Sequence, residues 1–173
     1  QMSVGQGDGA LIVVRDTAAL ALKLTAAGIA LPPKATRYRM LALALDAGAD
    51  LTGTCNYAVM VDAGLGSVQG TKIYNYMQKI GIAADEIDVM MLSHFHGDHV
   101  GGFKTLVNTY GVEPDLAFYR AYDGQKPRPS TRSRQGFVNV VPVASRRIVN
   151  PNETVLRLGD PARNDLKMTC VAS

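Results

Sequence analysis

The chain has 173 residues, of which 47% are hydrophobic and 19% charged, with a formal net charge of +3. That length suits one domain at about 100–200 residues each, and with only two cysteines and a mean hydropathy of +0.03 the composition excludes disorder, a collagen-like repeat and a disulfide scaffold. No apolar run approaches the roughly 20 residues of a bilayer span, and so small a net charge does not by itself imply a nucleic-acid partner.

In chain order, Met2–Val4 and Leu11–Val14 read as short strands around a Gly/Asp turn at residues 5–9. Residues 17–30 are rich in Ala and Leu and are predicted helical up to Pro32-Pro33. A second helix is predicted from Thr36 to Ala47, although Leu41, Leu43 and Leu45 alternate as a strand would. Asn56–Val61 is a predicted strand running into Asp62-Ala63-Gly64. Thr71–Ile80 is predicted helical because Ile73, Tyr76, Met77 and Ile80 fall at helical spacing. Ile87–Leu92 reads as a strand buried on both faces, Val100–Tyr110 as a helix, and Leu116–Tyr119 as a strand. Residues 121–136 are polar and basic, with Pro127 and Pro129, and read as a loop. Phe137–Val143, Thr154–Leu158 and Leu166–Val171 read as strands. Strands alternating with helices in the first two-thirds indicate an α/β layered domain.

Both ends are strand-like and read as cut. The beginning lacks the charged and apolar regions of a signal peptide, and the compartment is undetermined. Cys55 and Cys170 stand far apart, outside any CxxC pair, and read as buried or free thiols.

All three histidines fall within residues 94–99, in the order Ser93-His94-Phe95-His96-Gly97-Asp98-His99 directly after an apolar strand. In extended backbone, residues i and i+2 point the same way, so His94 and His96 can grip one cation together. Gly97 permits a change of direction, after which Asp98 and His99 begin the next helix and can serve a second cation. Gly101 and Gly102 have no side chains to obstruct close approach. Imidazole and carboxylate without thiolate suit zinc, manganese or iron.

This stretch, with Asp62-Ala63-Gly64 some thirty residues earlier, resembles the metallo-β-lactamase superfamily, whose H-x-H-x-D-H signature is matched by His94, His96, Asp98 and His99. The resemblance implies an α/β fold of the αββα four-layer sandwich type with a dinuclear metal site at the sheet edge, most readily holding Zn2+, with Mn2+ or Fe as alternatives. His94 and His96 would hold the first metal, Asp98 and His99 the second. Asp98 would be the catalytic carboxylate, and Asp62 an anchor orienting the motif loop. The implied chemistry is activation of water for attack on a phosphoryl or carbonyl centre. The ligands must be neutral imidazoles, so metal affinity should collapse below about pH 6.

His99 directly after Asp98 resembles the phosphodiesterase, nuclease and thioesterase-like branches. Val4-Gly5-Gln6-Gly7-Asp8-Gly9 is similar to the segment in hydrolase domains related to the bacterial DNA-uptake competence protein, which makes Gln6 and Asp8 candidate substrate-side residues. The expected substrate is a small-molecule or nucleic-acid-like phosphoester. Arg120, Lys126, Arg128, Arg132 and Arg134 would collect its phosphate, or simply form a solvated basic loop. No oligomeric state follows.

Two departures bear on this. Residues 15–55 form an Ala/Leu-rich insertion within a single domain of residues 1–173: extra core helices, or else a lid, partner surface or oligomer contact. No His follows His99, and the Asp160 of Leu158-Gly159-Asp160 is either a bridging carboxylate or an ordinary turn residue. The stretch after the motif is too short for a full second half, so the chain is expected to continue beyond Lys167–Ala172. The alternatives to a hydrolase are a catalytically incomplete metal-binding or interaction domain and a dinuclear-iron redox site.

Overall fold

The computed structural model describes residues 9–122, 128–150, 152–158 and 166–169. Its centre is a five-stranded sheet in the order β1 (Ala10–Arg15), β2 (Cys55–Val61), β3 (Val89–Leu92), β4 (Leu116–Arg120), β5 (Arg146–Val149). β1 runs antiparallel to β2, and the remaining pairs are parallel. β6 (Thr154–Leu158) and β7 (Leu166–Thr169) form a separate antiparallel pair. The helices are α1 (Thr17–Ala26), α2 (Arg37–Asp46), α3 (Gly66–Lys79), α4 (Gly97–Val100), α5 (Phe103–Tyr110) and α6 (Thr131–Val138). The α/β class expected from the alternating pattern is the one observed.

Period-two alternation divides the sheet's side chains between two apolar layers. Ala58, Met60, Met90, Leu92 and Ala117 face Ile73 and Met77 of α3, Phe103 and Leu106 of α5, and Phe137 of α6. Val59, Val89, Phe118 and Val149 form the opposite layer and are also buried. A sheet buried on both faces is what a layered sandwich requires.

The segment between β1 and β2 folds as two helices, and the alternating leucines of α2 sit in a helix because Thr36 caps it, accepting the Arg39 N–H at 3.3 Å. Leu20, Leu24, Met40, Ala44 and Leu51 make a core of their own, and Leu45 packs against both this core and the main one. The Asp16 N–H donates to the Thr54 carbonyl at 2.9 Å, closing the neck of this helical segment. Asp16 also caps α1, its Oδ1 accepting from the amides of Ala18 at 2.7 Å and Ala19 at 3.0 Å. Asp16→Ala should therefore cost about 1 kcal/mol, lowering the thermal midpoint by about 2–4 °C in a circular-dichroism melt.

Several boundaries differ from the sequence expectation. The 121–136 segment is not all loop: α6 starts at Thr131, where Ser130 accepts the Ser133 N–H at 3.1 Å. Phe137–Val143 is not a strand. Phe137 lies inside α6, fully buried against Phe95, Phe103 and Tyr119, and the strand comes later as β5. α3 starts at Gly66 rather than Thr71, and β3 at Val89 rather than Ile87, after a 3-10 turn at Ala84–Glu86. The helix expected over Val100–Tyr110 is two helices, α4 and α5, separated at Gly101-Gly102. The first expected strand, Met2–Val4, lies outside the described residues.

Candidate metal centre

β2 and β3 are parallel neighbours with Val61 beside Met91, so Asp62 and the Ser93–His99 segment leave the sheet together at the carboxyl ends of their strands. Such ends are where open α/β sheets place their sites. Asp62 takes a left-handed conformation with φ of 54°, uncommon outside glycine though tolerated by Asp. Backbone bonds hold it there: its N–H donates to the Met91 carbonyl at 2.8 Å, and the Ala63 N–H donates to the His99 carbonyl at 2.7 Å.

The left-handed turn directs the buried Asp62 carboxylate at the motif. Oδ1 accepts the Ser93 amide at 2.9 Å, and Oδ2 accepts the Ser93 hydroxyl at 2.7 Å. Oδ2 also lies 2.9 Å from His99 Nδ1. A carboxylate can only accept, so His99 carries its proton on Nδ1 and its Nε2 lone pair is free to bind. His94 Nδ1 lies 3.0 Å from Ser93 Oγ. That hydroxyl spends its own proton on Asp62, so it accepts from Nδ1–H and leaves His94 Nε2 as the lone-pair nitrogen. One carboxylate thus sets the tautomers of two imidazoles, one directly and one through Ser93. Ser93 is the member of this hydrogen-bonded cluster that the sequence did not single out; its position opposite Asp62 becomes apparent only with the β2–β3 register.

The three rings are gathered together. His94 lies 3.9 Å from His99 and 4.7 Å from His96 between centroids. Burial, then the neighbouring His99 and His96, push the His94 pKa below its ordinary value, which favours the neutral ring a metal needs. His96 is the residue preceding α4. Asp98, in the first turn of α4, has Oδ2 3.7 Å from His99 Nε2 and a side chain half exposed. Gly97 begins α4 without a left-handed φ, so the change of direction does not depend on glycine there.

The sequence-predicted residues Asp62, His94, His96 and His99 are brought together, with Asp98 beside them. Gln6, Asp8, Lys126 and Asp160 lie outside the described residues. The donor types and the fixed tautomers fit a metal such as zinc in their chemistry. Among the described residues, however, no group of three or more His, Cys, Asp or Glu side chains is arranged to enclose a metal ion.

The basic segment packs against this loop. Arg128 and Arg134 sit over the ring of Tyr122, at 5.6 and 5.1 Å from its centroid. Tyr122 in turn meets Phe95 of the motif edge-on at 5.8 Å. Tyr122 thus links two arginines of the basic segment to the motif loop. Arg132 and Lys104 line a cavity of about 700 Å³ together with Leu65, Gly97, Asn108 and Asn139. Arg120 is exposed at the end of β4.

The fold and the histidine cluster define a class. The family model of the metallo-beta-lactamase superfamily matches residues 51–160, and the chain belongs to that superfamily. Among curated relatives, it is similar to the lactamase-like protein adaB of Aspergillus niger, at 33% identity over 85 residues, 44% of this chain and 26% of that protein. It is also similar to the exodeoxyribonuclease WalJ of Streptococcus pneumoniae, at 29% identity over 77 residues, 44% of this chain and 28% of that protein. The chain spans about a quarter of the length of these relatives. Among solved structures, a subclass B3 metallo-beta-lactamase from a soil metagenome library is similar at 23% identity and a TM-score of 0.40, over 58% of this chain and 38% of that one. A flavo di-iron protein from Thermotoga maritima is similar at 18% identity and a TM-score of 0.41, over 61% of this chain and 23% of that one. No described helix is long and apolar enough to cross a membrane.

Proposed function

We propose that the chain carries the metal site of a hydrolase that uses zinc to open a phosphodiester or related ester. The observation carrying this reading is the clamp of Asp62 on Ser93 and His99, which frees the Nε2 lone pairs of His94 and His99 within one gathered cluster. His94 and His96 would hold one cation, and Asp98 and His99 a second. When bound, the metal supplies water activation near neutral pH and positive charge for the developing oxyanion. The chain's own residues do the rest: Asp62 fixes the donors, and Asp98, half exposed beside His99, is the carboxylate within reach of a substrate proton. A phosphoester is favoured over a neutral ester by Lys104 and Arg132 in the adjoining cavity, and by the exodeoxyribonuclease among the relatives.

The test is zinc content by elemental analysis together with turnover of bis-p-nitrophenyl phosphate by the full-length gene product. His96→Ala should abolish tight zinc binding and turnover; a variant that keeps full zinc content overturns the assignment. A second reading, a metal-binding domain without hydrolytic competence, is favoured by the absence of a closed three-donor group among the described residues. Stoichiometric zinc without turnover would select it.

A further inference from the structure

A second cavity, between helices α1 and α2 and the sheet edge, plays no part in the chemistry above. Among the described residues β1 is the edge strand of the sheet, and Leu11, Val13 and Arg15 project from one of its faces at two-residue spacing. They floor a cavity of about 390 Å³, which is walled by Tyr76 of α3 and by Leu20, Leu41 and Leu45 of α1 and α2. That volume lies in the range of about 300–1,000 Å³ typical of small-molecule sites, which combine an apolar lining with a few polar groups.

The polar groups here are cationic or unsatisfied. The Arg15 guanidinium donates to Thr54 Oγ1 and to the Ile80 carbonyl, both neutral. The described ion pairs are Lys23–Asp50 and those of His99, so no described carboxylate stands within ion-pair distance of Arg15. Glu86, whose carboxylate accepts the Ala83 amide at 2.7 Å, acts on the guanidinium through space and not by a direct ion pair. Burial pulls the Arg15 pKa below its ordinary value. Thr17 lines the same cavity, and its hydroxyl is buried without a hydrogen-bond partner. A buried orphan hydroxyl costs stability until something pairs with it. A part-buried cation with no carboxylate in direct contact is likewise costly. Arg37 adds a further positive charge to the lining.

We propose that this cavity binds a small aliphatic carboxylate, its head group held by Arg15 and the Thr17 hydroxyl and its chain lying along Leu20, Leu41 and Leu45. An anion supplies what both groups lack, and the guanidinium fork matches a carboxylate. The site is separate from the histidine cluster. Arg15 pairs with Cys55 at the start of β2, whereas Asp62 follows its other end. At about 3.3 Å per residue the two stand about 20 Å apart. The proposal therefore does not depend on the hydrolase reading.

Calorimetric titration of the full-length protein with decanoate, decanol and decylamine tests it. Decanoate should bind saturably, at least tenfold more tightly than decanol, with no binding of decylamine and no change in zinc content. Arg15→Met should weaken decanoate tenfold or more while leaving decanol unchanged. Leu41→Trp, which fills the cavity from its helical wall, should abolish binding of both while the far-ultraviolet circular dichroism is retained, so the test survives if Arg15→Met fails to fold. Equal affinity for decanol and decanoate, undiminished decanoate binding by Leu41→Trp, or no saturable decanoate binding at all overturns the proposal.

Discussion

Asp62→Ala is expected to lower folding stability by about 3 kcal/mol and to weaken zinc binding by about 10–100-fold. Three donors lose their acceptor at once: the Ser93 amide, the Ser93 hydroxyl and His99 Nδ1. Each buried donor left unpaired costs about 1–3 kcal/mol, and access of water to the part-exposed Ser93 and His99 holds the total near the lower bound. Asp62 is almost fully buried, so its removal also relieves a desolvation penalty. That relief is smaller than the loss, because the orphaned donors remain behind. Alanine further gives up the tolerance of Asp for the φ of 54°. Urea unfolding measures the first effect and chelator competition the second.

Asp62→Asn separates the two. It keeps the shape, the turn preference and an acceptor for the Ser93 amide, so stability should fall by only about 1 kcal/mol. Its amide nitrogen only donates and accepts from neither the Ser93 hydroxyl nor His99, so the tautomers are no longer imposed and zinc affinity should fall nearly as far as in the alanine variant. Wild-type zinc affinity in Asp62→Asn would show that the carboxylate serves the fold alone.

The contrast between His99 and Ser93 shows what the sequence could reveal. Metal-donor types at H-x-H-x-D-H spacing are a local pattern, so the cluster is legible before any fold is known. The role proposed for Asp62 came with the family resemblance; the structure adds its contacts with Ser93 and His99. Ser93 has no such signature. A hydroxyl matters only through what lies across from it, and that depends on the register of β2 against β3. Helix α6 was hidden for a related reason. Pro127, Pro129 and four exposed polar residues, Thr131, Arg132, Arg134 and Gln135, read as loop, and the one residue that buries the helix, Phe137, reads equally well as the start of a strand. Tertiary contact with Phe95, Phe103 and Tyr119 decided between them. Helices α1 and α2 were legible from Ala/Leu content, but the cavity they form with β1 was not, because Arg15 and Tyr76 are far apart in sequence.

A stability loss as large as that of Asp62→Ala is expected from Gly102→Ala. Conformation alone would favour the change: Gly102 has φ −75° and ψ −22°, ordinary helical values, where alanine is better than glycine by about 1 kcal/mol. Space forbids it. A Cβ on Gly102 would lie 2.0 Å from the Ala63 carbonyl oxygen and 3.2 Å from the Ala63 Cβ. Neither is the end of a flexible side chain, so the junction of α4 and α5 must move bodily away from the 62–64 turn. The bonds that would stretch are the Gly102 amide to the Gly64 carbonyl at 3.1 Å and the Ala63 amide to the His99 carbonyl at 2.7 Å. Overpacking at about 1–3 kcal/mol and two hydrogen bonds at about 1 kcal/mol each outweigh the propensity gain, giving a net loss of about 3 kcal/mol. The same movement draws His99 from Asp62, so zinc affinity should fall as well. Gly97→Ala is the matched control within the motif. Its Cβ would meet nothing nearer than Leu65 Cδ1 at 3.7 Å, and it lies in α4. That variant should unfold within about 1 kcal/mol of wild type and keep its zinc. Equal stability of the two variants would mean that the close approach of the motif helix to the Asp62 turn does not position the site.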